Sequence, residues 1–310
     1  MNMKNKCIIL WKAICNSDDR FLLLSNQGFF KEINDEEYLK RMFKCYMKKE
    51  LNLANPQTFN EKLQWLKLYD RKPEYTTMVD KYAVKKYVAD IIGEEYIIPT
   101  LGVWNHFDEI DFDKLPNQFV LKCTHDSGGI VICKDKNKLD LKSAKKKIEK
   151  CLKRNYYWSS REWPYKDVKP RIIAEPYMED SKYGSLTDYK FFCFNGKMKC
   201  LYISIGSHTT KQKLQFFDRN FNILPIKRSD YLDFDKIPEK PFHLDDMIVL
   251  AEKLSRDIPH TRIDFYYIHN RIYFGEITFF TGSGFIPFTD KKWDYKLGSW
   301  LKLPKNIFED

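Results

Sequence analysis

Two acidic residues near the C-terminal end of the chain, Asp264 and Glu276, lie in apolar segments on either side of the polar break at 268–270. Runs of β-branched and aromatic residues around such a break predict a β-hairpin. Arg262 shares a strand face with Asp264, and Thr278 shares one with Glu276, because side chains two apart point the same way. A hairpin loop of odd length would bring the two carboxylates together, about 5 to 8 Å apart at Cβ.

Paired carboxylates of this kind have a specific chemistry. They repel each other unless a cation lies between them. Oxygen-only ligands beside an arginine favour Mg²⁺ carrying a phosphate over zinc. The hairpin therefore predicts a magnesium–phosphate site at Asp264 and Glu276, and an ordinary amphipathic hairpin with a hydrated face is the alternative.

A second candidate site is the polar loop 124–129, which lies between the apolar runs 119–123 and 130–133. Its Ser127-Gly128-Gly129 segment lets the backbone approach a ligand closely, and successive free N–H groups there could bind an anion. Lys122 at the end of the entering strand could reach the same phosphates. Most such loops are only turns, so both interpretations stay open.

Composition limits the class of protein. At 310 residues, with 43% hydrophobic and 16% aromatic residues, the chain can bury a large core and is not disordered. Its net charge of +10 favours anionic partners. The eight cysteines include no CxxC pair, which favours buried thiols in a reducing compartment over zinc ligands or disulfides.

The apolar stretch 7–15 is short and is interrupted by Lys12. A secretory signal or a membrane-spanning helix is therefore not expected there, while peripheral attachment to a membrane through this stretch stays open.

Hydrophobic periodicity predicts alternating helices and strands. Thr58 and Glu61 form a capping-box pattern, Gly93 predicts a helix end, and Asn195-Gly196 predicts a type I′ hairpin turn. The predicted helices are 35–53, 58–69, 79–92, 142–155 and 245–255, and the predicted strands are 119–123, 130–133, 171–178, 188–194, 197–204, 214–218 and the 262–279 hairpin. The predicted fold class is therefore α+β.

The order of these signals resembles the ATP-grasp superfamily over about residues 75–285. Longer motifs resemble its TupA-like branch, of teichuronopeptide and surface-polysaccharide biosynthesis, over about residues 55–290. These motifs are TFNEKLQWLKLYD at 58–70, VDKYAVKKYV at 79–88, REWPYK at 161–166, DYKFFCFNGK at 188–197 and GEITF at 275–279. The resemblance implies that ATP binds between two α+β lobes and that the segments are a helical N-terminal extension (1–54), a pre-ATP-grasp lobe (55–115), a small lobe (116–187) and a large lobe (188–310).

The resemblance also implies roles for individual residues. It assigns nucleotide binding to Lys122, Ser127, Gly128, Gly129, Glu175, Pro176, Tyr177, Met178, Glu179 and Lys190. In that assignment Lys122 contacts the α- and β-phosphates, Lys190 binds phosphate, and the hinge that begins at Glu175 reads adenine mainly through its backbone. Glu179 or Asp180 would lie near the ribose.

At the metal end, the resemblance implies that Arg262 and Lys190 act as catalytic cations and that Asp264 and Glu276 hold Mg²⁺. The superfamily usually has an asparagine as third ligand, where this chain has Thr278. A hydroxyl can still coordinate Mg²⁺ or a water bound to it, but the number of ions is left open.

The expected function is an ADP-forming carboxylate–amine ligase that makes an amide through an acyl phosphate. Its expected partners are an anionic glycan or uronic acid and an amine or amino acid, without nucleic acid, in the cytoplasm or at the inner membrane face. The alternatives are a phosphotransferase, a glycosyltransferase using the Asp111-Phe112-Asp113 spacing as a metal site, and a nonenzymatic basic binding module.

Four residues are expected on the acceptor side of the site. Arg161 and Lys166, beside the aromatic residues of the 156–169 stretch, are predicted to contact an anionic glycan, and packing of that stretch onto the lobe is the alternative. Ser283 and Gly284 are predicted to position the acyl phosphate or the acceptor through backbone N–H groups.

Overall fold

The computed structural model describes residues 16–26, 28–126, 128–180, 186–206, 212–228 and 230–304. The predictions for Ser127 and for the stretch 7–15 lie outside these residues. The helices are α1 (Ser17–Asn26), α2 (Asp35–Met47), α3 (Phe59–Tyr69), α4 (Glu74–Val79), α5 (Ala83–Ile92), α6 (Leu141–Leu152), α7 (Tyr157–Ser160), α8 (Leu244–Leu254) and α9 (Lys292–Trp300). The strands are β1 (Gly102–Trp104), β2 (Phe119–Cys123), β3 (Ile130–Cys133), β4 (Ile172–Pro176), β5 (Asp188–Phe194), β6 (Lys197–Ile205), β7 (Lys213–Asp218), β8 (Ile223–Leu224), β9 (His260–Ile268) and β10 (Arg271–Thr278).

Helix α3 begins with the predicted capping box. Thr58 accepts a hydrogen bond from the Glu61 backbone N–H at 3.3 Å, and the Glu61 carboxylate accepts one from the Thr58 backbone N–H at 2.9 Å. Two orphan amide groups are thereby satisfied at the helix start. The buried polar side chains of this helix include Gln64 and Lys67, which lie in the functional site described below.

The helix predicted over 79–92 begins later, at Ala83, and a separate short helix, α4, precedes it. Helix α4 ends at Val79, and the Asp80 carboxylate accepts hydrogen bonds from the backbone N–H groups of Tyr82 at 2.9 Å and Ala83 at 3.3 Å. This capping starts α5 afresh, and α5 ends as predicted before Gly93, whose φ is +117°. The break positions Lys81, whose backbone N–H donates to the Thr124 carbonyl at 3.1 Å.

The smaller sheet has the antiparallel order β1-β4-β2-β3 within the described residues. On β2 the alternate residues Phe119, Leu121 and Cys123 are buried, while Lys122 on the opposite face is partly exposed. Strand β1 pairs into this sheet although it precedes residue 115, and the four predicted segment boundaries stay predictions.

The larger sheet has the order β10-β9-β5-β6-β7-β8 in the same described part of the chain. The type I′ turn is confirmed, because Asn195 and Gly196 have φ of 49° and 73° and join paired residues of β5 and β6. Aromatic and aliphatic side chains fill the core that this sheet shares with α8, including Phe191, Leu201 and Met247.

The β9–β10 hairpin is where the fold departs from its sequence pattern. Asp264 and Glu276 face each other directly, as predicted, but the loop is only His269-Asn270, so the prediction of an odd-numbered loop is wrong. A β-bulge between Phe274 and Glu276 supplies the extra residue that changes the parity.

The described cysteines, Cys45, Cys123, Cys133, Cys151, Cys193 and Cys200, are all free and buried. Among the described residues, every helix is too short or too polar to traverse a bilayer.

Candidate active site

Three charged residues form a row across β5, β9 and the edge strand β10 of the larger sheet. Lys190 on β5 pairs in register with Asp264 on β9, which pairs with Glu276 on β10. The Lys190 ammonium lies 2.5 Å from Asp264 and 3.2 Å from Asp188. Antiparallel register thus brings together residues that are up to 86 positions apart in sequence.

Arg262 joins this row through a fork of hydrogen bonds. Its Nε and Nη2 donate to the two oxygens of Asp264, each at 2.6 Å, and Nη2 also donates to Glu276 at 2.7 Å. Nη2 reaches the Thr278 hydroxyl at 3.0 Å, and that hydroxyl donates to Glu276 at 2.9 Å. The structure therefore gathers the predicted Lys190, Arg262, Asp264, Glu276 and Thr278 in one cluster.

The cluster shifts the pKa values of its two carboxylates in opposite directions. Burial raises the pKa of Asp264, although Arg262 and Lys190 act in the opposite direction. Burial acts upward on Glu276 too, but Arg262, Lys190 and Lys81 outweigh it and lower its pKa to about 2. Water screens part of that attraction, since 45% of the Glu276 side chain is exposed. Glu276 is therefore ionised and accessible at neutral pH.

These residues fit Mg²⁺ bound jointly with a phosphate. No group of three or more histidine, cysteine, aspartate or glutamate side chains suited to a metal occurs among the described residues. Magnesium commonly takes one or two protein carboxylates and completes its octahedron with water and substrate phosphates. Glu276, Asp264 and the Thr278 hydroxyl supply oxygen donors of that kind, beside cations that suit the same phosphate.

On the smaller sheet, Lys122 is held by an ion pair. Its ammonium lies 2.5 Å from Oε2 of Glu175, while Lys85 lies 2.6 Å from Oε1 of the same carboxylate. Burial alone would raise the pKa of Glu175, but Lys122 and Lys85 outweigh it and lower it. Glu175 thus orients two lysines, a function that its predicted place in a backbone-reading hinge did not include.

Lys81 lies beside the glycine loop, and the sequence analysis gave it no role. Its ammonium donates to the Asp126 carbonyl at 2.7 Å. Burial lowers the pKa of Lys81, while the negative charge of Glu276 opposes that change and Lys122 adds to it. A partly buried ammonium beside the glycine loop suits a phosphate bound at that loop. The available signal was its position directly after the Asp80 helix break.

The glycine loop has a packing explanation for one of its two glycines. A Cβ at Gly129 would lie 2.4 Å from the Cys151 sulfur and 2.6 Å from the Cys123 sulfur, so only glycine fits. Gly128 is exposed, and a Cβ there would meet only Arg154 at 3.5 Å. Gly128 therefore retains the openness that ligand approach requires.

The predicted hinge, Glu175 to Met178, begins on β4 and continues past the end of that strand, and Glu179 follows it. Tyr177 donates a hydrogen bond to Glu179, and Lys134 lies 3.1 Å from Glu179 and 5.1 Å from the Tyr177 ring centre. Pro176 ends the strand, as its ring predicts. Glu179 is exposed and accessible, and its nucleotide role stays a prediction.

The prediction that Arg161 contacts a glycan is wrong. Arg161 is fully buried; its guanidinium stacks 4.2 Å from the Tyr38 ring centre and donates to the Phe30 carbonyl at 2.7 Å. It also pairs with Asp35 at 3.1 Å. It fastens the 156–169 stretch to the N-terminal helices, which is the packing alternative. Lys166 is exposed above the Tyr157 ring, and its substrate role stays a prediction.

The turn after β10 contains the predicted Ser283 and Gly284, both with left-handed φ, 56° and 64°. Glycine is required at 284 because a Cβ there would lie 2.3 Å from Gln64. The Ser283 hydroxyl donates to Glu162 at 2.5 Å, and the Ser283 carbonyl accepts from Lys67 at 2.8 Å. Sequence reasoning missed Glu162 and Lys67, although both lie in motifs quoted above, because their proximity arises only from tertiary packing.

The Asp111-Phe112-Asp113 spacing considered for a glycosyltransferase forms a local turn. Asp111 precedes a short 3₁₀ helix and accepts a hydrogen bond from the Asp113 backbone N–H at 3.1 Å. Asp111 also pairs with Lys114 at 3.0 Å, so its carboxylate serves this turn.

Comparison with known proteins adds a family and several distant structural likenesses. A D-alanine–D-alanine ligase from Helicobacter pylori is 20% identical with a TM-score of 0.42, over 79% of this chain and 69% of that one. The Bacillus anthracis D-alanine–D-alanine ligase complexed with ATP is 15% identical with a TM-score of 0.37, over 65% of this chain and 53% of that one. The ATP-grasp ligase PsnB complexed with minimal precursor, Mg and ADP is 10% identical with a TM-score of 0.36, over 71% of this chain and 57% of that one. This chain thus spans little more than half the length of the last two.

No curated protein matches the chain. The family model described as TupA-like ATPgrasp matches residues 61–302, which is most of the chain. The α+β architecture with two antiparallel sheets agrees with that assignment. The chain therefore belongs to the TupA-like ATP-grasp family.

Proposed function

We propose that this protein is an ADP-forming carboxylate–amine ligase that makes an amide on a uronic-acid-containing surface polysaccharide or its precursor. One observation carries the proposal: Lys190, Arg262, Asp264 and Glu276 form a single cluster across β5, β9 and β10. Cations on both sides of paired carboxylates suit a Mg²⁺-bound triphosphate.

The residues divide the work of phosphoryl transfer. Lys122 and Lys81 would hold the nonreacting phosphates, and Lys190 and Arg262 would stabilise charge on the transferred group. Bound Mg²⁺ would neutralise phosphate oxygens beside Asp264 and Glu276. A substrate carboxylate oxygen forms the new bond to the γ-phosphorus as ADP leaves; the amine nitrogen then bonds to the acyl carbon as phosphate leaves, and the amine loses a proton. No protein nucleophile is required.

The substrate class rests on charge and family. A net charge of +10 attracts an anionic glycan, and exposed Lys166 could contribute to that attraction. The amine or amino-acid partner follows from the ligase reaction. We place this reaction in the cytoplasm, at or near the inner face of the membrane where surface glycans are assembled, and expect no nucleic-acid partner.

Product analysis tests the proposal. Purified protein is incubated with ATP, Mg²⁺ and pairs of uronic acids and amines, and nucleotide and amide products are quantified by mass spectrometry. The proposal expects ADP in a one-to-one ratio with a new amide, and hydroxylamine in place of the amine should yield a hydroxamate. ADP formed with a stable phosphorylated acceptor would instead indicate a phosphotransferase, and UDP released from a nucleotide sugar would indicate a glycosyltransferase.

A further inference from the structure

Glu162 is a buried carboxylate with one oxygen left open. Only 5% of the residue is exposed, and Oε1 accepts hydrogen bonds from the hydroxyls of Ser160 at 3.1 Å and Ser283 at 2.5 Å. Among the described residues, no group donates to its second oxygen, Oε2. A ligand can therefore pair with Oε2 without displacing a hydrogen bond that the protein already makes.

The nearby cation Lys67 is fully engaged elsewhere. Its ammonium donates to the Gln64 side-chain oxygen at 2.9 Å, the Ser160 carbonyl at 2.9 Å and the Ser283 carbonyl at 2.8 Å. Three donors meet three acceptors, so none remains for Glu162. Lys67 instead ties the segments that contain Ser160 and Ser283 to helix α3, and so fixes the orientation of Glu162 between them.

This cluster borders the candidate phosphoryl-transfer residues. Ser283 follows Thr278 by five positions, at the end of β10. Burial raises the pKa of Glu162, the charge of Lys67 opposes that change, and the charge of Glu276 adds to it. A cationic group at the open oxygen would oppose both the desolvation of Glu162 and the effect of the Glu276 charge.

The two reacting groups of a carboxylate–amine ligase carry opposite charges when they bind. The donor is a carboxylate, which Glu162 would repel. The acceptor is an amine, which carries a positive charge near neutral pH before it reacts. The open oxygen therefore discriminates between them.

We propose that Glu162 binds the ammonium group of the acceptor amine, with Lys67 and Ser283 as positioning residues. This proposal rests on the ligase function above and specifies its acceptor as a cationic primary amine. The amine acceptor would accordingly bind on the side of the candidate active site that the 281–284 turn forms.

Binding of two small probes to the full-length protein tests the assignment. Glycinamide carries an ammonium group, and N-acetylglycinamide of related shape does not. Affinities are measured by ligand-observed NMR, with and without Mg²⁺ and the ATP analogue AMPPNP. The variants are Glu162→Gln, which keeps the shape, and Glu50→Gln, a control whose side chain is 73% exposed.

Wild type and Glu50→Gln should prefer glycinamide by about ten-fold or more, as expected for a charge-assisted hydrogen bond, and Glu162→Gln should lose the preference while binding AMPPNP normally. If Glu162→Gln does not fold, Glu162→Asp replaces it; this variant keeps the negative charge on a side chain one methylene shorter. It should prefer glycinamide over N-acetylglycinamide less than wild type does. Equal preference in the Glu162 variant and wild type, or no preference in wild type, overturns the proposal. Failure of wild type to bind AMPPNP would instead count against the proposed ligase function, and the nucleotide-free comparison of the probes would still decide the role of Glu162.

Discussion

Replacing Arg262 by methionine tests the charge network at the centre of the site. The guanidinium makes two hydrogen bonds of 2.6 Å to Asp264, a carboxylate that is only 1% exposed, and one of 2.7 Å to Glu276. In the variant, Lys190 would be left as the partner of Asp264 in this cluster. Two carboxylates that face each other across the hairpin would then repel.

The expected cost follows from the burial of this pair. Removing one partner of a buried ion pair typically costs about 3–5 kcal/mol, because the remaining charge stays desolvated. We take the lower end, about 3 kcal/mol, since Lys190 still neutralises part of Asp264 and Glu276 is partly hydrated. For a chain of 310 residues, with an unfolding entropy of about 2.1 cal/mol/K per residue, that corresponds to a fall in Tm of about 5 °C.

The assay is thermal unfolding in EDTA and in Mg²⁺. Arg219→Met is the matched control, because Arg219 pairs with Glu252 at 2.5 Å but is 50% exposed, and an exposed pair contributes only about 0–1 kcal/mol. Added Mg²⁺ should raise the Tm of Arg262→Met more than that of wild type, since the freed carboxylates attract a cation. Equal Tm values for Arg262→Met and Arg219→Met in EDTA would refute the reasoning.

Three further outcomes are expected. Lys122→Met should weaken AMPPNP binding about ten-fold or more and also lower the Tm, since Glu175 loses an ion-pair partner; unchanged nucleotide affinity in calorimetry would exclude a phosphate role. Arg161→Met should lower the Tm with ATP turnover per folded molecule unaltered, and a selective rise in acceptor KM would restore its substrate role. Burial lowers the pKa of His260 to about 3, so the stability that its neutral form contributes is complete above pH 6.5 and declines toward pH 3. In His260→Gln, the free energy of unfolding in urea should therefore vary less with pH over that range. The same pH dependence in the variant and wild type would contradict this.

The fold was largely accessible from the sequence where local chemistry determines it. Thr58 and Glu61 specify a helix start through their own backbone contacts, and Asn195-Gly196 specifies a turn because both residues accept positive φ. Whether the loop of the β9–β10 hairpin has an odd or an even number of residues could not be predicted in the same way. Bulge formation at Gly275 depends on close approach of the Asp264 carbonyl and the Tyr266 ring, 3.1 and 3.2 Å from an added Cβ.

The residues of the candidate site likewise fall into two groups, those that a local pattern predicts and those that only tertiary packing brings together. Alternation along β9 and β10 predicted that Asp264 and Glu276 converge if the loop is odd-numbered; they do converge, but the β-bulge between Phe274 and Glu276 produces the shared face. Burial of Arg161 was not predictable, since its stacking on Tyr38 joins segments 123 positions apart. Lys67 and Glu162 escaped notice for the same reason: a lysine and a glutamate in polar sequence ordinarily predict exposure.

Dependence of nucleotide affinity on Mg²⁺ tests the central claim most directly. Calorimetric titration with AMPPNP, with Mg²⁺ or with EDTA, compares wild type with Glu276→Gln, which can keep the hydrogen bonds to Arg262 and Thr278 but loses the charge. Wild type should bind about ten-fold or more tightly with Mg²⁺, and the variant should lose most of that gain. The same gain from Mg²⁺ in both proteins would contradict the assignment of Asp264 and Glu276 as the metal-binding carboxylates.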